Sequence, residues 1–440
     1  PINVGIVILC LIWMIFFDHT ALAVTSSILA LFLLNRQKRM LHPTNMLFLF
    51  YTLYLIIPVT LYYIFELVNW QYILPWGMVS DWSAVSPNSM GLVLMTFSIS
   101  FFSMLYLTNR NKRFVNNDHE DIIFISINMC LLLLVLNILG CLFFVTQTGG
   151  LAAWISDYSN VYISGKSGVG WLNFILINLS HFTFFVCGFT FFSGYPIRKH
   201  KKYLFLGLLL VALIAVSSVQ GIKSRVPILS IMFFFPLLFK AQISLFRGVS
   251  ILSVFIVFFM SAMYFRSNGF YNSIPIATEY LLSYFNTYIL LDNTMQDYNH
   301  DYFRTIWFSS TKFTSMIGLT PLAPYLDISY WLTDIYFPET WARQATQQWP
   351  LEMELYFNYG GLYFSMIPLL IMSAYYAILF NSADNGNYYI YFIFIAEFVR
   401  LFTILRGSMF PWTLPLVLIF YMLTYIFMKM AVRRIPRSSL

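Results

Sequence analysis

Apolar runs of roughly 15 to 25 residues recur along the whole of this 440-residue chain, beginning with "INVGIVILCLIWMIFF". Each is long enough to cross about 30 Å of hydrocarbon as a helix. The runs do not alternate apolar and polar positions as the strands of a closed barrel would, so a barrel is disfavoured. The composition agrees: 59% of the residues are hydrophobic and 10% charged, a balance foreign to soluble domains. The expected fold class is therefore all-α, a polytopic membrane bundle of about twelve transmembrane helices.

The spans are expected near 2–17, 20–34, 45–65, 89–107, 122–146, 170–193, 203–220, 227–240, 248–265, 359–380, 388–405 and 412–429. The first two are short and joined only by "DHT", so one broken or re-entrant element there is an open alternative. The first run has neither a basic flank before it nor a small-residue cleavage site after it, and it is read as a retained span rather than a signal peptide. The sequence starts at Pro1, so an initiator Met is taken to have been removed or left out. Three regions follow: spans one to nine over 1–265, a large hydrophilic loop with short helices over 266–358, and spans ten to twelve with a basic tail over 359–440.

Cys10, Cys130, Cys141 and Cys187 all lie inside apolar runs, where a small buried hydrophobe is the simplest reading of a thiol. The net charge of +7 does not point to nucleic acid, because the basic residues cluster in short loops beside the spans. No long repeat, low-complexity tract, metal-ligand spacing, Walker loop or Gly-x-Ser-x-Gly elbow is visible, and no cofactor is expected.

Charge sets the expected orientation. With the N-terminus inside, "NRQKRMLHP", "NRNKRFVNND", "YPIRKHKK", "KAQISLFRG" and the tail "KMAVRRIPRSSL" hold sixteen of the 25 Lys and Arg residues on the cytoplasmic side. Both termini are then cytoplasmic, and the 266–358 loop faces outward. So do "GIKSR" and "LRGSMFPW", which carry cations on the side where topology does not call for them.

Arg225, Arg266 and Arg406 sit at or near the outer ends of apolar runs, and Arg400 lies within the eleventh run with Glu397. Charges at membrane depth cost a few kcal/mol and usually face a cavity or a partner. Snorkelling to headgroups, or for Arg400 a pair with Glu397, is one account. The other is an anionic ligand at the outer interface, since guanidinium grips phosphate oxygens two at a time. In "GIKSRVP", Lys223 and Arg225 precede Pro227, which suits a first helical turn whose N-terminus favours an anion.

The large loop is dense in aromatics, which suits sugar stacking and interfacial helices equally, since the whole chain is 20% aromatic. Its end, "WPLEMELYFNYGG", combines Glu352 and Glu354 with Tyr356 and Asn358. On a helix Glu354 and Asn358 share a face, so a carboxylate and an amide can converge on one hydroxyl; helix-start carboxylates favoured by the dipole are the plainer reading. "DYNHDY" places His300 as a further candidate base, although a solvated loop histidine fits as well.

The order "GIKSRVPIL", "YFRSNGF", "ELYFNYGG" and "LRGSMFPW" over about 215–415 resembles the Wzy family of oligosaccharide repeat-unit polymerases, which includes O-antigen, capsule and enterobacterial-common-antigen polymerases and is related to the O-antigen ligases. The resemblance implies a bacterial inner-membrane enzyme acting on undecaprenyl-diphosphate-linked oligosaccharides at the periplasmic face, with membrane lipid, a chain-length regulator and a flippase as partners. It implies a diphosphate-binding role for Arg225, Arg266 and Arg406, with Arg400 and Lys223 as further contributors. Glu354, Glu352 and His300 are then the candidate bases, and Asn358 and Tyr356 the candidate sugar contacts. The ligase branch carries a His before the span that follows its large loop, whereas this chain has Glu352 and Glu354 there. A ligase-like transferase and a transporter of polysaccharide or lipid carrier are the competing functions; a transporter would place its charges near the midplane between internal repeats.

Overall fold

The computed structural model describes residues 2–16, 19–68, 85–110, 121–156, 161, 170–220, 222–242, 244, 250, 253, 257, 274–299, 303–316, 318–321, 325, 327–339 and 349–436. The fold is mostly helical. Among the described residues eight helices are long and apolar enough to cross a membrane, which makes the chain a multi-pass membrane protein.

Those helices cover Pro43–Ile64, Pro87–Arg110, Ile127–Gln147, Gly170–Phe191, Lys199–Val219, Phe364–Asp384, Tyr388–Leu405 and Leu414–Ala431. The first two apolar runs form shorter helices, Ile2–Phe16 and Thr20–Asn35. The expected ninth span, 248–265, lies outside the described residues apart from isolated positions. The expected eighth begins earlier than hydropathy indicated: its helix is Ile222–Lys240, so Lys223 and Arg225 are helical and Pro227 falls beyond the first turn.

The expected fifth span needs a larger correction. Its first four residues belong to strand β1, Asp121–Ile125, paired antiparallel with β2, Val432–Pro436, so that Phe124 stands opposite Arg433. A short run of Ile and Phe satisfies strand and helix equally by hydropathy, and the extended backbone of Ser126 then separates the strand from the helix at Ile127. Part of the basic tail, Val432–Pro436, is likewise a strand.

By its internal contacts the chain divides into two units. The first comprises Pro1–Lys112, Phe246–Asn381 and Glu397–Val417. Its core includes the fully buried Phe50, Tyr51, Phe97, Phe101 and Phe357, with Tyr51 edge-on to Phe97 at 5.4 Å. His42, expected in a loop, is buried here: it caps the helix that starts at Pro43 and its Nε2 lies 3.1 Å from the Thr108 hydroxyl. Residues Thr52–Ile56 form a π-helical turn. Gly360 and Gly361, with φ of 67° and 79°, adopt the left-handed backbone that only glycine takes cheaply. They separate the Leu351–Tyr359 helix from Leu362–Asp384.

The second unit comprises Arg113–Leu245, Ser382–Ala396 and Leu418–Leu440. An aromatic cluster fills it, with Phe182 edge-on to Phe392 at 5.0 Å and Phe235 to Tyr391 at 5.4 Å. Gly188 lets the Gly170–Phe191 and Ile222–Lys240 helices meet backbone to backbone, since a Cβ there would lie 1.8 Å from the Phe233 carbonyl oxygen. All four cysteines are buried and unbridged.

Candidate functional site

The sequence-predicted carboxylate and amide do converge on a hydroxyl, and that hydroxyl belongs to the chain itself. Glu354 and Asn358 lie one turn apart on the Leu351–Tyr359 helix, and both reach Thr305 in the first turn of Arg304–Met316. The Thr305 hydroxyl donates to Glu354 Oε1 at 3.1 Å and accepts from Asn358 Nδ2. The Thr305 N–H donates to Asn358 Oδ1 at 2.9 Å, which caps that helix. All three side chains are fully buried, so the loop of hydrogen bonds closes within the protein.

Glu354 has a second task. Its Oε2 accepts the Met409 N–H at 2.7 Å and its Oε1 lies 3.3 Å from the Ser408 hydroxyl. The carboxylate therefore pins the segment between Leu405 and Leu414 onto the helix, a charge-assisted use of a backbone donor. Arg406 begins that segment. Its guanidinium lies over the Tyr54 ring at 5.1 Å, a cation–π geometry.

Tyr54 lies within the π-helical turn, and Tyr51 immediately precedes it. The Tyr51 hydroxyl donates to Glu352 Oε1 at 2.7 Å. Glu352 is fully buried, and its Oε2 has no hydrogen-bond partner among the described residues. One helical irregularity thus holds Glu352 through Tyr51 and Arg406 through Tyr54. π-helical turns often mark functional positions because the widened turn re-aims side chains.

Burial dominates the electrostatics of both acids. It pushes the Glu352 and Glu354 carboxyls from the ordinary 4.5 up to about 7, against the pull of Tyr51 on the one and of Met409, Thr305 and Ser408 on the other. A carboxyl poised there accepts a proton near neutral pH. Both oxygens of Glu354 are already engaged, so Glu352 is the freer acceptor.

The remaining predicted residues fall elsewhere. Tyr356 uses its hydroxyl on the Met295 and Tyr298 carbonyls, at 3.1 and 3.0 Å, closing the end of the Ile274–Asp297 helix. Arg400 pairs with Glu397 at 3.0 Å, while the Tyr376 hydroxyl donates to the other Glu397 oxygen at 3.3 Å. Arg225, in the second unit, donates from Nη1 to His181 Nε2 at 3.2 Å. Lys223 lies in the first turn of its helix. Arg266 and His300 lie outside the described residues.

Two loop cations missed by sequence reasoning meet aromatic faces in the first unit: Arg304 over Trp331 at 4.3 Å and Lys312 over Trp412 at 5.8 Å. Also missed were Tyr51, Tyr54, Thr305 and Ser408, none of which stands near its partner in sequence. Among the described residues no cluster of three or more His, Cys, Asp or Glu is arranged to hold a metal. No family model, curated protein or solved structure matches the chain.

Proposed function

We propose that this protein is a membrane glycosyltransferase that joins undecaprenyl-diphosphate-linked oligosaccharide repeat units into a surface polysaccharide at the periplasmic face. The observation that carries this reading is the fastening of Arg406 and Glu352 to one π-helical turn, through Tyr54 and Tyr51. An anion-gripping group and a neutral-range carboxyl are what transfer from a lipid diphosphate needs at one locus. The positive-inside count supports an outward-facing 266–358 segment, and with it the periplasmic side.

The acceptor sugar's hydroxyl oxygen attacks the anomeric carbon of the growing chain. The bond from that carbon to the diphosphate oxygen breaks, and undecaprenyl diphosphate departs with the electron pair. Arg406 neutralises charge developing on the departing diphosphate, an electrostatic role for a pre-fixed guanidinium. Glu352 takes the hydroxyl proton, a contribution on the order of 10² to 10⁴ in rate. The transition state is oxocarbenium-like, as in other glycosyl transfers.

Glu354 is assigned a positioning role: it holds the segment that presents Arg406. Arg225, Arg266 and Lys223 carry a proposed diphosphate-binding role on the chemistry of their charges, and Arg400 is assigned to its pair with Glu397. In cells relying on this chain, Arg406→Ala is expected to abolish long surface polysaccharide while single repeats still reach the surface lipid. A normal chain-length ladder from that variant would rule out the assigned role of Arg406.

A further inference from the structure

The second unit contains a cavity of about 690 Å³ that the proposed reaction does not use. Lys201, Arg433 and Arg434 line it together with Ser126, Asn128 and Tyr195, and among the described residues no carboxylate does. We propose that this cavity is a binding site for a phosphate group, supplied by the headgroup of an anionic phospholipid.

Three features of the cavity point to an anion. First, two of these cations are held in place: Lys201 Nζ donates to Asn128 Oδ1 at 2.9 Å, and Arg434 bonds the Tyr388 hydroxyl with its guanidinium 4.8 Å over that ring. Second, the Ile127–Gln147 helix begins at the wall formed by Ser126 and Asn128, and the Ser126 side chain makes no capping bond. The positive end of that helix therefore faces the same space.

Third, the Lys199–Gln220 helix starts with "KHKK" and has no acid in its first turn. Cations are disfavoured at the positive end of a helix dipole, so an anion bound here would relieve the placement. Guanidinium and ammonium groups over two helix starts form a phosphate cradle.

A lipid is the source because both helices are membrane-spanning segments, and the cavity lies at their N-terminal ends, at the level of headgroups. Phe124 and Tyr195 stack at 3.9 Å in its wall and give the apolar side that a glycerol backbone meets. β1 and β2 bring Arg433 opposite Phe124, so the strand pair exists where the site needs it. The Thr190 hydroxyl fixes that end of β1, donating to the Ile125 carbonyl at 3.1 Å.

The test compares wild type with Lys201→Ala/Arg433→Ala in nanodiscs of phosphatidylcholine alone, of phosphatidylcholine with phosphatidylglycerol, and of phosphatidylcholine with added inorganic phosphate. Thermal unfolding and lipid retention in native mass spectrometry are read for each. Wild type is expected to retain phosphatidylglycerol and to melt higher with it, and the double variant to bind it at least about tenfold more weakly. Equal melting of the two proteins in phosphatidylcholine alone checks folding; if the double variant does not fold, Arg433→Gln, at an exposed position, is read instead.

Stabilisation by phosphatidylglycerol but not by inorganic phosphate upholds the lipid source. An equal response to inorganic phosphate overturns that source. An identical response of wild type and variant to both ligands, or none from either protein, overturns the site.

Discussion

Tyr51 and Glu352 stand 301 positions apart in the chain and meet through a hydrogen bond of 2.7 Å. The bond joins the start of the π-helical turn to the helix that carries both candidate carboxyls, and the second oxygen of the buried Glu352 has no hydrogen-bond partner among the described residues. Since the hydroxyl stabilises the ionised carboxyl, its removal raises the pKa further. Tyr51→Phe is accordingly expected to shift the acid limb of the pH–rate profile to higher pH while substrate affinity changes little. An unmoved limb would show that Glu352 does not titrate in turnover.

The two buried carboxyls also set a pH dependence of stability. Their folded values of about 7 lie above the ordinary 4.5, so the folded protein holds protons that the unfolded chain has released. That contribution is fully present below about pH 4.5 and is lost as pH rises through 7, by on the order of 3 kcal/mol per group. The thermal midpoint in detergent should fall between pH 5 and pH 8, and Glu352→Gln/Glu354→Gln should flatten the fall. An equally steep fall in the double variant would assign the dependence to other groups.

Thr305 is the hydroxyl around which Glu354 and Asn358 close. Thr305→Val leaves a buried carboxyl and a buried amide each short of a partner, at a cost of about 1–3 kcal/mol. Thr305→Ser keeps the hydroxyl and should stay near wild type. Similar unfolding midpoints for the Val and Ser variants would show that the closed loop adds nothing to stability.

Gly188 and Gly207 make a paired comparison. A Cβ at Gly188 collides with the Phe233 carbonyl, whereas nothing lies within 4 Å of one at Gly207. Gly188→Ala should force apart two closely packed helices and lower the thermal midpoint by several degrees, a loss of more than about 1 kcal/mol. Gly207→Ala should be neutral or slightly stabilising through helix propensity. Equal midpoints for the two variants would contradict the close packing.

Hydropathy located helices well where a run was long and uninterrupted. The expected 170–193 and 89–107 became Gly170–Phe191 and Pro87–Arg110. It failed at 122–125, where four apolar residues suit strand and helix alike, and where the deciding partner, Val432–Pro436, lies some three hundred residues away. The π-helical turn carries no mark in local sequence.

The candidate site was legible only within single helices. The four-residue spacing of Glu354 and Asn358 correctly put them on one face, but nothing in that spacing names Thr305, Ser408 or Met409 as the groups they meet. The three-residue spacing of Glu397 and Arg400 was enough to suggest their pair. His181 lies 44 residues from Arg225, and a lone histidine in an apolar run gives no sign of its partner.

The most direct measurement is turnover by the purified protein. In detergent, with an undecaprenyl-diphosphate-linked oligosaccharide as sole substrate and no nucleotide sugar, wild type is expected to build a ladder of longer lipid-linked glycans. It should release one undecaprenyl diphosphate per linkage. Arg406→Ala should reduce that rate by at least about a hundredfold, the scale of one lost electrostatic contact in a transition state, with Arg406→Lys intermediate. Folded wild-type protein that binds the lipid-linked oligosaccharide yet neither lengthens it nor releases diphosphate would contradict the account.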